Sequence, residues 1–172
     1  YKAIPHLTSV LEDVNQDPMV RHEAAEALGA IGAPEVLKTL EKYINDSAIE
    51  VAETCQLAFE RVKWLESHKN NEESLPENPY FSVDPAPPTE ETSVEHLKSV
   101  LLDPKATLFD RYRAMFSLRN LRTEEAVLAL SEGLKHGSAL FRHEIAFVLG
   151  QLQDENSIPY LIDSLKDSQE HE

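Results

Sequence analysis

Apolar residues recur along this chain at intervals of three and four, and almost nowhere at intervals of two, which is the period of a helix face. Val20, Ala24, Ala27, Leu28 and Ile31 line one such face through residues 20–31. Gly29 and Gly32 bring that helix close to a neighbour or end it. A second helix follows through Val36, Leu37, Leu40 and Ile44, with Pro34 near its first turn, where a missing N–H costs nothing. Asn45-Asp46-Ser47 gives a stop and a new cap. A third helix runs from about Ala48 to His68, carrying Val51, Cys55, Leu57, Ala58, Val62 and Leu65. Residues 69–92 then hold five of the ten prolines and are expected to be extended, with the aromatic pair Tyr80-Phe81 on a surface. Helices resume over Val94–Leu102, Leu108–Leu121, from the Thr123 cap to Leu134, Ser138–Gln151 and Ile158–Asp167. The pattern predicts an all-α chain with an N-terminal block at 1–68, a Pro-rich linker at 69–92 and a C-terminal block at 93–172.

The two blocks repeat one another. Arg21-His22-Glu23-Ala24-Ala25-Glu26-Ala27-Leu28-Gly29 returns as Arg142-His143-Glu144-Ile145-Ala146-Phe147-Val148-Leu149-Gly150, an offset of 121. Ile4-Pro5-His6-Leu7, ending at Leu11-Glu12-Asp13, returns as Ile158-Pro159-Tyr160-Leu161, ending at Leu165-Lys166-Asp167, an offset of 154. Paired antiparallel helices recurring every ~30–45 residues are the signature of an α-solenoid. Tyr1–Asp13 is then the second helix of a pair. Moving the His-Glu motifs by the longer offset places further copies at position 176 and about a dozen residues before Tyr1. The expectation is four His-Glu pairs in a longer protein, of which this chain carries the middle two.

Charge narrows the partners. With 31 acidic against 16 basic residues, the net charge is -15. Like-charge repulsion argues against nucleic acid or an anionic membrane, and the balance favours a cationic substrate, a basic protein surface or metal ions. The single cysteine excludes an intramolecular disulfide and a cysteine-based zinc site. No apolar run approaches the ~20 residues of a membrane-spanning helix, and Tyr1-Lys2-Ala3-Ile4-Pro5 has no initiating Met and no signal-peptide pattern. A cytoplasmic protein, or a portion of one, is expected.

Adjacent residues on a helix point about 100° apart, so His22 and Glu23 flank one face. Imidazole with carboxylate is a ligand set for iron, manganese or zinc, and with open positions it suits oxygen-activating iron. The HExxH zinc motif is absent, since Glu26 follows His22 at i+4 and Phe147 follows His143. The plain alternative is a structural repeat in which Arg21 and Arg142 satisfy carbonyls of an adjacent pair. Glu26, one turn after His22, reaches a site beside a metal or marks a seam between repeats. Cys55 reads as a buried small hydrophobe. His6, His68, His96 and His136 read as surface residues, and Trp64 with Leu65 as closing the core of the first block.

At these residues the sequence resembles the deoxyhypusine hydroxylases, HEAT-repeat di-iron enzymes. The resemblance runs from Pro18-Met19-Val20-Arg21-His22-Glu23 through Val51-Ala52-Glu53-Thr54-Cys55 and the linker Pro79–Pro88 to Arg111–Asn120 and Gly137–Glu144. It implies a HEAT-repeat α-solenoid in which four His-Glu motifs hold two Fe(2+) ions per intact enzyme. It also implies the use of dioxygen to hydroxylate the deoxyhypusine side chain of a translation initiation factor to hypusine. On this resemblance His22, Glu23, His143 and Glu144 are metal ligands, with Glu144 either an iron ligand or a contact to the substrate amine. Glu144 and Glu26 would bind the substrate's ammonium groups, and no catalytic residue is expected beyond the metal ligands. The competing expectation is a non-catalytic HEAT-type scaffold for a basic protein.

Overall fold

A computed structural model describes residues 2–68 and 78–170; the first part of the expected linker, 69–77, lies outside the described residues. Nine α-helices and no strand occur among the described residues: α1 (Ile4–Glu12), α2 (Pro18–Ile31), α3 (Leu37–Tyr43), α4 (Ile49–His68), α5 (Val94–Leu102), α6 (Leu108–Leu121), α7 (Glu124–Gly133), α8 (Ala139–Leu152) and α9 (Ile158–Lys166). The chain is all-α. The start signals act as their chemistry requires: side chains of Asp17, Ser93, Thr107, Thr123 and Ser138 each accept a hydrogen bond from a first-turn N–H. Pro34 opens a single 3₁₀ turn, Pro34–Val36, from which α3 continues. Asp46 Oδ1 accepts from Ala48 N at 2.9 Å just before α4.

The chain forms two compact units, Tyr1–Leu75 with Val83–Pro87, and Pro76–Ser82 with Pro88–Glu172. In the first, α2 packs on α1 and on α4, and α3 packs on α4. Leu11, Ala24, Leu28, Val36, Leu40, Val51, Cys55 and Val62 form its core. The α2 face is rotated from the expected one. Arg21, His22, Ala24, Ala25, Leu28 and Gly29 are buried, while Val20 and Ile31 are exposed. The reason is that two neighbours, α1 and α4, share the burial of α2, so the buried stripe is wide and takes in an arginine and a histidine. Trp64 and Leu65 are half-buried and outside the core; Trp64 stacks on His68, ring centroids 4.0 Å apart. His68 is therefore half-buried, whereas His6, His96 and His136 are exposed.

Gly29 and Gly32 divide the two tasks expected of them. A Cβ at Gly29 would lie 2.6 Å from the Ala58 Cβ, so the missing side chain sets how closely α2 and α4 approach. Gly32, at φ +69, ends α2, its N–H donating to Leu28 O. Arg61 ties this seam to the extended segment, donating from Nη1 to Gly29 O at 2.6 Å and from Nε to Asp84 O at 3.1 Å. Ala86 of that segment is fully buried.

In the second unit α6 packs on α5, α7 and α8, and α7 packs on α5, α8 and α9. Leu97, Leu101, Met115, Leu118, Leu130, Phe141, Ile145 and Leu149 are buried. The aromatic pair divides. Tyr80 lies under the Arg119 and Arg122 guanidiniums, 4.8 and 5.1 Å from its ring centroid, while Phe81, at φ 55, is fully exposed.

Candidate functional site

The Arg-His-Glu helix of the first unit is α2. Arg21 donates from Nε to Leu11 O at 2.9 Å and forms a bidentate pair with Asp46, at 3.2 and 2.6 Å. The pair is almost wholly buried, its side chains 5% and 8% exposed. The carboxylate raises the arginine pKa, and hydrogen bonds from that guanidinium hold the Asp46 carboxyl below the usual carboxylate range. One turn of α2 is thereby fixed against α1 and against the start of α4.

That fixed turn carries His22, itself buried. Its Nδ1 lies 2.6 Å from Thr54 Oγ1 on α4, inside the unit. Its Nε2 edge faces outward, with Glu26 Oε2 3.7 Å away on a side chain that is 46% exposed. Glu23 is exposed beside it. The turn therefore offers one imidazole nitrogen and two carboxylates at the surface. Cys55, next to Thr54 on α4, is fully buried, and burial pushes its thiol up to about 12, so it stays protonated and is no nucleophile.

In the second unit the motif sits on α8. Arg142 donates from Nε and Nη2 to the Glu170 carboxylate and from Nη1 to Gly137 O at 2.8 Å. The carbonyl expected as its partner is thus found in the connection before α8. His143 is exposed and makes no hydrogen bond among the described residues; Glu144 is half-buried. His143 lines an open cleft of about 440 Å³ with Leu134, Arg142, Ala146, Leu161 and Leu165. Phe147, at the position of Glu26, is 52% exposed.

By kind, the donors suit iron. By number, neither motif alone reaches the two-His-one-carboxylate set of such centres. Among the described residues no group of three or more His, Cys, Asp or Glu could hold a metal ion. Thr54, which no sequence pattern marks, is the one added participant among the described residues. No helix among the described residues is long and apolar enough to cross a membrane.

A family of HEAT repeats matches residues 1–59 and 94–172. The chain is 61% identical to the deoxyhypusine hydroxylase of Drosophila melanogaster over 172 residues, 99% of this chain and 56% of that protein. It is 59% identical to the deoxyhypusine hydroxylase of Homo sapiens over 164 residues, 95% of this chain and 53% of that protein. A solved structure of human deoxyhypusine hydroxylase in complex with glycerol superposes with a TM-score of 0.92 at 58% identity, covering 99% of this chain and 58% of that one. The chain spans about half the length of the curated relatives it matches.

Proposed function

Because the chain belongs to the HEAT-repeat deoxyhypusine hydroxylase family, we propose that it serves the iron-dependent hydroxylation of the deoxyhypusine side chain of a translation initiation factor. The observation that supports this is the alignment, 61% identical across 99% of the chain. His22 with Glu23, and His143 with Glu144, are the iron-binding residues in this reading, within a protein that holds two Fe(2+) ions. When bound, the iron supplies the activation of dioxygen. The protein's own groups supply position. Glu26, joined by Glu144 where that residue contacts the substrate amine instead of iron, holds the cationic tail of the substrate by charge-assisted hydrogen bonds, and fixing the tail selects which carbon is presented. The chain's net charge of -15 draws a polyamine-like side chain toward it.

The test uses the whole protein. Purified protein is expected to contain about two irons, and His22→Ala and His143→Ala are each expected to lose iron and hydroxylation of a deoxyhypusine-bearing factor. Iron-free protein with activity indifferent to both substitutions would sink the reading. The net charge of -15 supports a second one, a scaffold for a basic protein. Charge reversal at Glu23 and Glu26 would then weaken binding to that partner while chelation changes nothing.

A further inference from the structure

We propose that Thr54 is the positioning residue of His22, holding the imidazole in the tautomer with its proton on Nδ1 and its lone pair on Nε2; the use of that lone pair rests on the iron-binding reading above. A neutral imidazole carries one proton, and where it sits decides which nitrogen can be a ligand. At Nδ1 a proton meets the buried Thr54 Oγ1 at 2.6 Å. At Nε2 the nearest acceptor, Glu26 Oε2, is 3.7 Å away, beyond hydrogen-bond range. A threonine hydroxyl can accept this proton through a lone pair. The surroundings keep its oxygen in place. Thr54 is only 4% exposed, and α4 is held on α2 by the Gly29–Ala58 approach and by the Arg61 bond to Gly29 O. The result is an imidazole whose inner nitrogen is committed and whose outer nitrogen lies beside the Glu26 carboxylate. Metal-binding histidines are commonly oriented through the other ring N–H in this way.

The tautomer can be read without any metal, by long-range ¹H–¹⁵N correlation of the neutral imidazole's nitrogens in the 172-residue chain. In the parent chain, His22 Nδ1 is expected in the protonated range and Nε2 in the unprotonated one. Thr54→Val, which keeps the shape and removes the oxygen, is expected to shift His22 toward the Nε2–H form, and Thr54→Ser to restore the parent spectrum. A parent spectrum with the proton on Nε2, or a folded Thr54→Val variant that keeps it on Nδ1, overturns the proposal. If Thr54→Val does not fold, the parent and Thr54→Ser spectra decide. In the whole protein, Thr54→Val is expected to weaken Fe(2+) binding by about 10–100-fold, with Thr54→Ser near the parent. Iron binding untouched by Thr54→Val overturns the role of Thr54. The expected tautomer in a protein that takes up no iron upholds the Thr54 contact and sinks the iron reading instead.

Discussion

The helices α2 and α8 carry the same Arg-His-Glu at the same distance before Leu-Gly, yet their histidines live differently. On α2, His22 is buried and anchored to Thr54; on α8, His143 is exposed and without a hydrogen bond among the described residues. On α2 the burial comes from the neighbour. Within the first unit α4 packs against α2, so a Cβ on Gly29 would meet Ala58 at 2.6 Å. A Cβ on Gly150, the counterpart on α8, meets nothing within 4 Å among the described residues. Their arginines differ too. Arg21 reaches back to α1 and forward to Asp46, both buried, whereas Arg142 and Glu170 have side chains 21% and 24% exposed. In stacked repeats, the environment of a motif is made by the helix beside it as much as by its own residues.

Substitutions can break this contrast, and the arginines should break it hardest. Arg21→Ala strands the Leu11 carbonyl and the Asp46 carboxylate in a buried site and is expected to cost about 3–5 kcal/mol in denaturant unfolding. Arg142→Ala is expected to cost about 1 kcal/mol or less. Equal losses would show that the two turns are equally built in. The glycines come next, and here the sign should differ. Gly29→Ala drives a methyl into Ala58 and is expected to destabilise by about 1–3 kcal/mol. In the 172-residue chain, Gly150→Ala is expected to stabilise by up to about 1 kcal/mol through helix propensity.

Acid should weaken the α2 side selectively, by less. The Asp46 carboxyl is held below its usual 3.8 by Arg21. Its contribution is therefore complete above that value and is lost as pH falls through the lower, folded-state pKa. Asp46→Asn is expected to flatten the acid limb of the stability curve. The smallest effect needs no substitution. Cys55, buried with its thiol at about 12, is expected to resist a thiol reagent until α4 lifts from α2, and the labelling rate then measures that opening.

The fold was largely legible because its signals are local. Caps at Thr123 and Ser138, prolines at helix starts and a helical period place most of the nine helices within a residue or two. The wrongly placed α2 face was not local: Val20 and Ile31 are as apolar as Ala25, and only the two-sided packing of α2 decides which are covered. The candidate site was half legible. His22 and His143 stand out because they recur at an offset of 121. Thr54 does not, since a lone threonine within a helix carries no pattern; its meaning lies 32 residues from His22 in sequence and 2.6 Å from it in space. Pro18 and Ile49, which open α2 and α4, are 31 residues apart, and that near-match was the available clue.

The chain does not pass from one unit to the other at a single point: it gives residues up to Ser82 to the second before returning Val83–Pro87 to the first. Anyone dissecting the gene meets a consequence. No single cut yields two whole halves. A fragment ending at residue 68 lacks the Asp84 carbonyl that Arg61 holds and the buried Ala86. One carried to residue 87 takes Tyr80 away from Arg119 and Arg122. Complementary fragments should therefore overlap, with each carrying its own copy of residues 78–87.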